Sequence, residues 1–144
     1  MTAKQYLQRY KSLKCRFLTT CEQIKSIESD VIHIKSPGFD ERVTSSPKSD
    51  PIGDMVCDLE QKKGKLGLKM FECQAEMLMI QKQVDVFEEV NNDYYIILLF
   101  RYILFRDWQS ICDTLHLSRS HANKLHGDAL KEFDKKFGKL YADR

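Results

Sequence analysis

Glycine and proline are scarce in this chain: six glycines and three prolines among 144 residues leave little material for the turns of a sheet-rich fold. Long hydrophobic runs are missing too. The most apolar stretch, Tyr94 to Leu99, is soon stopped by Arg101 and Arg106, well short of the roughly 18 residues that a membrane span needs. The start, MTAKQYLQRYK, lacks the apolar core of a secretion signal, so the expected location is the cytoplasm, with no membrane partner. The five cysteines (Cys15, Cys21, Cys57, Cys73 and Cys112) are odd in number and form no C-x-x-C pair. Their apolar, helical surroundings predict buried, reduced thiols. No Gly-rich phosphate loop, nucleophile elbow or H-E-x-x-H sequence occurs, so no catalytic residue and no cofactor site is assigned.

Metal chemistry is excluded on spacing. Cys112, His116, His121 and His126 are close in sequence, but helical geometry scatters their donor atoms and the site would need them to converge. His33 and the pair Glu88-Glu89 stand near helix ends and are expected to be solvated. The formal net charge of +2 is small, and its distribution says more: residues 1–91 hold 14 Lys/Arg against 14 Asp/Glu, residues 92–144 hold 9 against 7. The cationic excess therefore sits in the C-terminal third.

What the chain does contain is helical period. Tyr6, Tyr10, Leu13, Phe17, Thr20, Ile24, Ile27, Val31 and Ile34 recur at alternating intervals of four and three, with Thr20 the one polar member. That repeat is the seam of a coiled coil or helical hairpin. It predicts a helix from about 3 to 34, roughly 48 Å long, capped by Thr2. The segment Lys35 to Gly53 holds all three prolines and no period, and reads as a loop. Asp50-Pro51 is suited to opening the next helix, aspartate as cap and proline in the first turn. The stripe resumes at Ile52, Val56, Leu59, Lys63, Leu66, Met70, Cys73, Met77, Ile80, Val84 and Phe87, predicting a second helix from about 52 to 90. Gly64 and Gly67 mark either a kink in it or a close helix contact. Each seam is continuous and could meet another chain, so a homodimer is the expected arrangement, with an intramolecular hairpin as the alternative.

After Asn91-Asn92-Asp93 the apolar run YYIILLFRYIL predicts the core helix of a compact C-terminal block. A break at Phe105 to Asp107 follows, then a short helix from Trp108 to Leu115, with Asp107 as cap and Trp108, Ile111, Cys112 and Leu115 inward. His116-Leu117-Ser118 is a three-residue connection, and Ser118 caps a longer helix from Arg119 to about Phe137, with Ala122, Leu125, Ala129 and Leu130 inward. Position 116 calls for a left-handed backbone, which histidine tolerates better than β-branched residues do. A short helix, a three-residue turn and a longer amphipathic helix make a helix-turn-helix. The expected fold is therefore all-α: a long N-terminal helical hairpin or coiled coil over residues 1–91, with its loop at 35–53, then a three-helix helix-turn-helix domain over 92–144.

The outward face of the last helix carries Arg119, Ser120, Asn123 and Lys124, with Ser118 and His121 beside them. These residue types suit double-stranded DNA: arginine and asparagine make bidentate contacts to guanine and adenine edges, and lysine and serine reach phosphates or bases. The segment FRYILFRDWQSICDTLHLSRSHANKLHGDALKEF resembles the C-terminal DNA-binding region of sigma factors. With MTAKQYLQRYKSLK at its start, the whole chain resembles small phage and prophage regulators of the ArpU/RinA type. The resemblance implies sequence-specific DNA binding, activation of late phage genes, and host RNA polymerase as a further partner. Ser110 stands where sigma factors usually carry an acidic residue, Cys112 replaces an alanine, and Gly127 interrupts the recognition helix. Two other functions fit the same elements: the DNA-recognition subunit of a packaging machine, like a small terminase subunit, and a helical protein-binding adaptor.

Overall fold

The computed structural model describes residues 1–36 and 50–143. The fold is all-α, and no strand occurs among the described residues. Most of the loop expected at 35–53 lies outside the described residues. Helix α1 spans Ala3–Ile34 and α2 spans Pro51–Asp85. Then come α3 (Phe87–Val90), α4 (Asn92–Leu98), a π-helical turn (Leu99–Ile103), α5 (Trp108–Leu115) and α6 (Arg119–Tyr141).

The caps follow from the residues at each boundary. Thr2 Oγ1 accepts from the Gln5 N–H at 3.3 Å while Gln5 Oε1 accepts from the Thr2 N–H at 2.9 Å, a reciprocal capping box that occupies two otherwise orphaned donors. Asp50 Oδ1 accepts from the Gly53 N–H at 2.9 Å, and α2 starts on the proline that has no N–H to satisfy. Asn91 opens α4, its side-chain oxygen accepting from Asp93 and Tyr94.

The chain divides into two compact units, Cys15–Gln74 on one side and Met1–Lys14 with Ala75–Arg144 on the other. This grouping differs from a boundary at 91/92. In the first unit, α1 and α2 pack antiparallel: Lys63 Nζ pairs with Glu28 at 3.1 Å, and Cys21 Sγ lies 3.4 Å from Met70 Sδ, so numbers rise on one helix as they fall on the other. Ile27, Val31 and Leu66 form the buried centre, with Ile24, Val56 and Leu59 against it. The seams thus meet within one chain. Their two polar members are accommodated: Lys63 reaches Glu28, and the buried Thr20 donates its hydroxyl back to the Arg16 carbonyl at 2.8 Å. Gly64 and Gly67 lie within continuous helix, and a Cβ at either would meet nothing within 4 Å. Neither is a close helix contact.

The cysteine expectation needs correction. All five are free thiols, but only Cys73 and Cys112 are buried; Cys15 and Cys57 are exposed and Cys21 is half-buried. Cys15 and Cys57 stand off the 3.5-residue seam, on faces that the hairpin leaves to solvent.

In the second unit, the first turns of α1 belong to the same core as the C-terminal helices. Tyr6 stacks on Tyr141 with ring centroids 4.5 Å apart and tilts against Phe133 at 6.2 Å. Phe87 packs on Phe133 and Phe137 at 6.1 and 6.3 Å, and Arg9 pairs with Glu76 at 2.8 Å. Tyr141 is fully buried and donates its hydroxyl to Asp134 at 2.6 Å. Helix α6 therefore continues to Tyr141, four residues past the expected end at Phe137, because an aromatic partner on α1 buries its last turn.

Candidate nucleic-acid interface

The site is built on α5, the turn and α6. Helix α5 ends at His116, whose backbone is left-handed at φ 54° and ψ 42°, the conformation expected of this position. The Leu117 N–H then reaches back to the Cys112 carbonyl at 3.0 Å, the six-residue bond of a Schellman stop. Ser118 is extended, and its hydroxyl accepts from the His121 N–H at 3.2 Å, opening α6. Cys112, Ala122 and Ala129 are buried, and Leu125 and Leu130 are half-buried; small side chains in these positions let the helices approach. At Asp107 the expected cap is only positional. It is extended and its carbonyl accepts from the Ile111 N–H at 3.1 Å, but its carboxylate makes no capping bond.

Every expected contact residue is solvent-facing: Ser118, Arg119, Ser120, His121, Asn123 and Lys124 are all exposed. They occupy the cap and first two turns of α6, and no carboxylate interrupts the sequence from Ser118 to Gly127. The free N–H groups and partial positive charge of this helix end add to the two cations. Gly127 does not interrupt the helix, which is continuous from Arg119 to Tyr141.

Four further residues, Trp108, Arg101, His126 and Tyr102, join the site, and the expectation of an inward Trp108 missed their role. Trp108 is half-buried, and its ring carries two guanidinium groups, Arg101 Cζ at 5.0 Å and Arg119 Cζ at 5.2 Å from the centroid. Each contact is a cation–π interaction worth on the order of 0.5–1 kcal/mol at an exposed site, and together they restrain Arg119 before any ligand arrives. Arg101 also donates to the Arg106 carbonyl at 3.2 Å. It reaches that position because α4 passes into the π-helical turn, closed by the Leu104 N–H to Leu99 carbonyl bond at 2.9 Å and by Phe105 at φ 55°. A π turn admits one more residue than an α turn, so the side chains of Leu99–Ile103 are offset from the directions that a 3.6-residue period assigns.

Behind Trp108 stands His126. Its ring meets the indole edge-on at 4.9 Å, and its Nε2 lies 2.8 Å from the Tyr102 hydroxyl. Burial, with Lys4 and Arg101 nearby, pushes the imidazole down to about 4, and burial pushes the Tyr102 hydroxyl up to about 12. Both shifts keep the pair neutral, and the direction of the hydrogen bond between them follows the imidazole tautomer. Among the described residues, no group of three or more His, Cys, Asp or Glu side chains is placed to hold a metal ion, and no helix is long and apolar enough to cross a membrane. Comparison of the chain with protein-family models, with curated proteins and with solved structures gives no match.

Proposed function

We propose that this chain is a sequence-specific double-stranded-DNA-binding regulator of transcription, of the kind that activates late genes of a phage or prophage. The observation that carries the reading is the exposed, carboxylate-free surface of Ser118, Arg119, Ser120, His121, Asn123 and Lys124 on the first turns of α6, held behind a tight left-handed turn. In this reading α6 enters the major groove by its N-terminal end, Arg119 and Asn123 contact base edges, and Lys124 contacts phosphate. The stack of Arg119 on Trp108 supports it, since a restrained side chain loses less freedom on binding. Self-association belongs to the same proposal. Leu68 and Phe71 on α2 are 67 % and 68 % exposed, a pair of large apolar side chains that a second copy would cover.

The test is selection of bound duplexes from a random library, sequenced for the parent and for the Arg119→Ala/Asn123→Ala double variant. A motif enriched by the parent and lost with the variant is the expected result. Single substitutions at Arg119 or Asn123 should each cost about 1–3 kcal/mol and relax preference at one base pair. No enrichment by the parent removes the proposal and leaves the protein-binding adaptor in its place. A ring of many copies in solution, with the same motif, assigns the chain to packaging rather than regulation.

A further inference from the structure

A groove of about 290 Å³ opens beside the candidate interface, lined by Gln8, Lys11, Arg101, Tyr102 and Phe105. We infer that this groove holds a phosphodiester of the DNA backbone, so that the first turns of α1 grip the same duplex whose bases α6 reads; the inference rests on the DNA-binding reading above. Two cations and an amide face the groove, and among the described residues no carboxylate lines it. Lys4, Gln8 and Lys11 are spaced i, i+4, i+7 and so share one face of α1. The first acidic residue in the chain is Glu22, preceded by Lys4, Arg9, Lys11, Lys14 and Arg16. Of these, Arg9 is occupied by Glu76 and Lys14 lies over the Phe105 ring at 5.3 Å.

The groove and α6 are joined through one side chain. Arg101 lines the groove and also stacks on the same indole as Arg119, so the two guanidinium carbons are at most about 10 Å apart. That separation is shorter than the roughly 12 Å width of the major groove. The backbone of a strand whose bases Arg119 touches can therefore reach Arg101, and Lys11 lines the same groove as Arg101. Three observations fix the wall that carries Lys11: the Tyr6 stack on Tyr141, the Tyr10 contact with Phe105 at 6.1 Å and the Arg9–Glu76 ion pair. A phosphate there would bridge cations from α1 and from the π turn, and would offset the repulsion that their proximity creates.

Lys11→Gln in the full chain tests this, because Lys11 is exposed and the substitution leaves Tyr6, Tyr10 and Arg9 in place. Binding to the selected duplex is followed by fluorescence anisotropy across a salt series, with far-ultraviolet circular dichroism confirming the fold of the variant. Loss of one phosphate contact should lower the slope of log affinity against log salt by about 0.9, with base preference unchanged. A scan of single methylphosphonate substitutions in the duplex should then find one backbone position that weakens the parent clearly more than it weakens Lys11→Gln, which keeps the Arg101 contact. A parental slope retained by Lys11→Gln, with no such position, overturns the inference while α6 binding stands. A parent that binds no duplex removes both readings together.

Discussion

The Tyr102 hydroxyl and His126 Nε2 share a hydrogen bond of 2.8 Å, joining the π turn to the middle of α6 beneath Trp108. The imidazole is held near 4 in the folded chain by burial and by the nearby Lys4 and Arg101, against an ordinary value of about 6.5. Because the folded value is the lower one, the unfolded chain takes up the proton first. This site's contribution to stability is therefore complete above about pH 6.5 and is lost as pH falls towards about 4. Urea midpoints should decline across that window for the parent, and His126→Gln, whose amide oxygen can still accept from Tyr102, should flatten the decline. An identical decline in both proteins would show that other groups govern it. Tyr102→Phe leaves Nε2 without its hydrogen-bond partner and should cost about 1–3 kcal/mol at pH 7.

Among the described residues, two non-glycine residues have positive φ, His116 at 54° and Phe105 at 55°, and they should respond to glycine in opposite directions. His116 is exposed, so glycine relieves left-handed strain and loses little packing. The strain of about 1–2 kcal/mol exceeds the added freedom of the unfolded chain, giving a net gain near 0.5–1 kcal/mol. Phe105 is half-buried, tilts against Tyr10 at 6.1 Å and lies under Lys14. Phe105→Gly should therefore lower stability by about 1 kcal/mol despite the same relief. Thermal melts of both variants decide it, and matching shifts would mean that backbone conformation outweighs packing at both sites.

Much of the architecture was legible because the residues that set it act over a few positions. Thr2 with Gln5, Asp50 with Pro51, His116 and Ser118 are local signals, and each stands where its chemistry requires. The seam was legible too: its members on α1 and α2 are buried or half-buried throughout. Its partner was not. Tyr6 and Tyr10 continue the same 3.5-residue repeat as Ile24 and Ile27, yet they pack on Tyr141 and Phe105 while the later members pack on α2. Periodicity reports which face is covered, never by what. Arg101 escaped notice for a different reason, since its orientation depends on a π turn that no run of apolar residues announces, and the exposed Cys15 and Cys57 show that an apolar neighbourhood in sequence is not burial in space.

Gly127 lies inside continuous α6, and a Cβ there would meet nothing within 4 Å. With no turn, close approach or positive φ to require it, glycine costs the helix about 0.5–1 kcal/mol relative to alanine. Gly127→Ala should raise the thermal midpoint by about 2–4 °C. A fall would mean that the bound or associated form needs space at this position that the free chain does not show, and a melt taken with and without duplex would locate that need.

Tyr6 ties the N-terminal turns of α1 to the C-terminal core, and Tyr6→Ala separates this arrangement from one in which a self-sufficient domain begins at residue 92. The ring is 3 % exposed, stacked on Tyr141 and tilted against Phe133, so its removal should cost about 3–5 kcal/mol, as for other large buried aromatics. Stability alone does not identify the contact, because any core truncation destabilises. The specific consequence is at the end of α6: without Tyr6, Tyr141 loses its stacking partner and the last turn loses the burial that extends it beyond Phe137. Amide exchange at 138–141 should accelerate far more than exchange at 122–130, where Ala122 and Ala129 are buried. Uniform acceleration along α6 would mean that Tyr6 supports the whole core and not its final turn. Unchanged exchange at 138–141 would mean that α1 does not hold this end of the helix, and the wall proposed for the phosphate groove would lose its anchor with it.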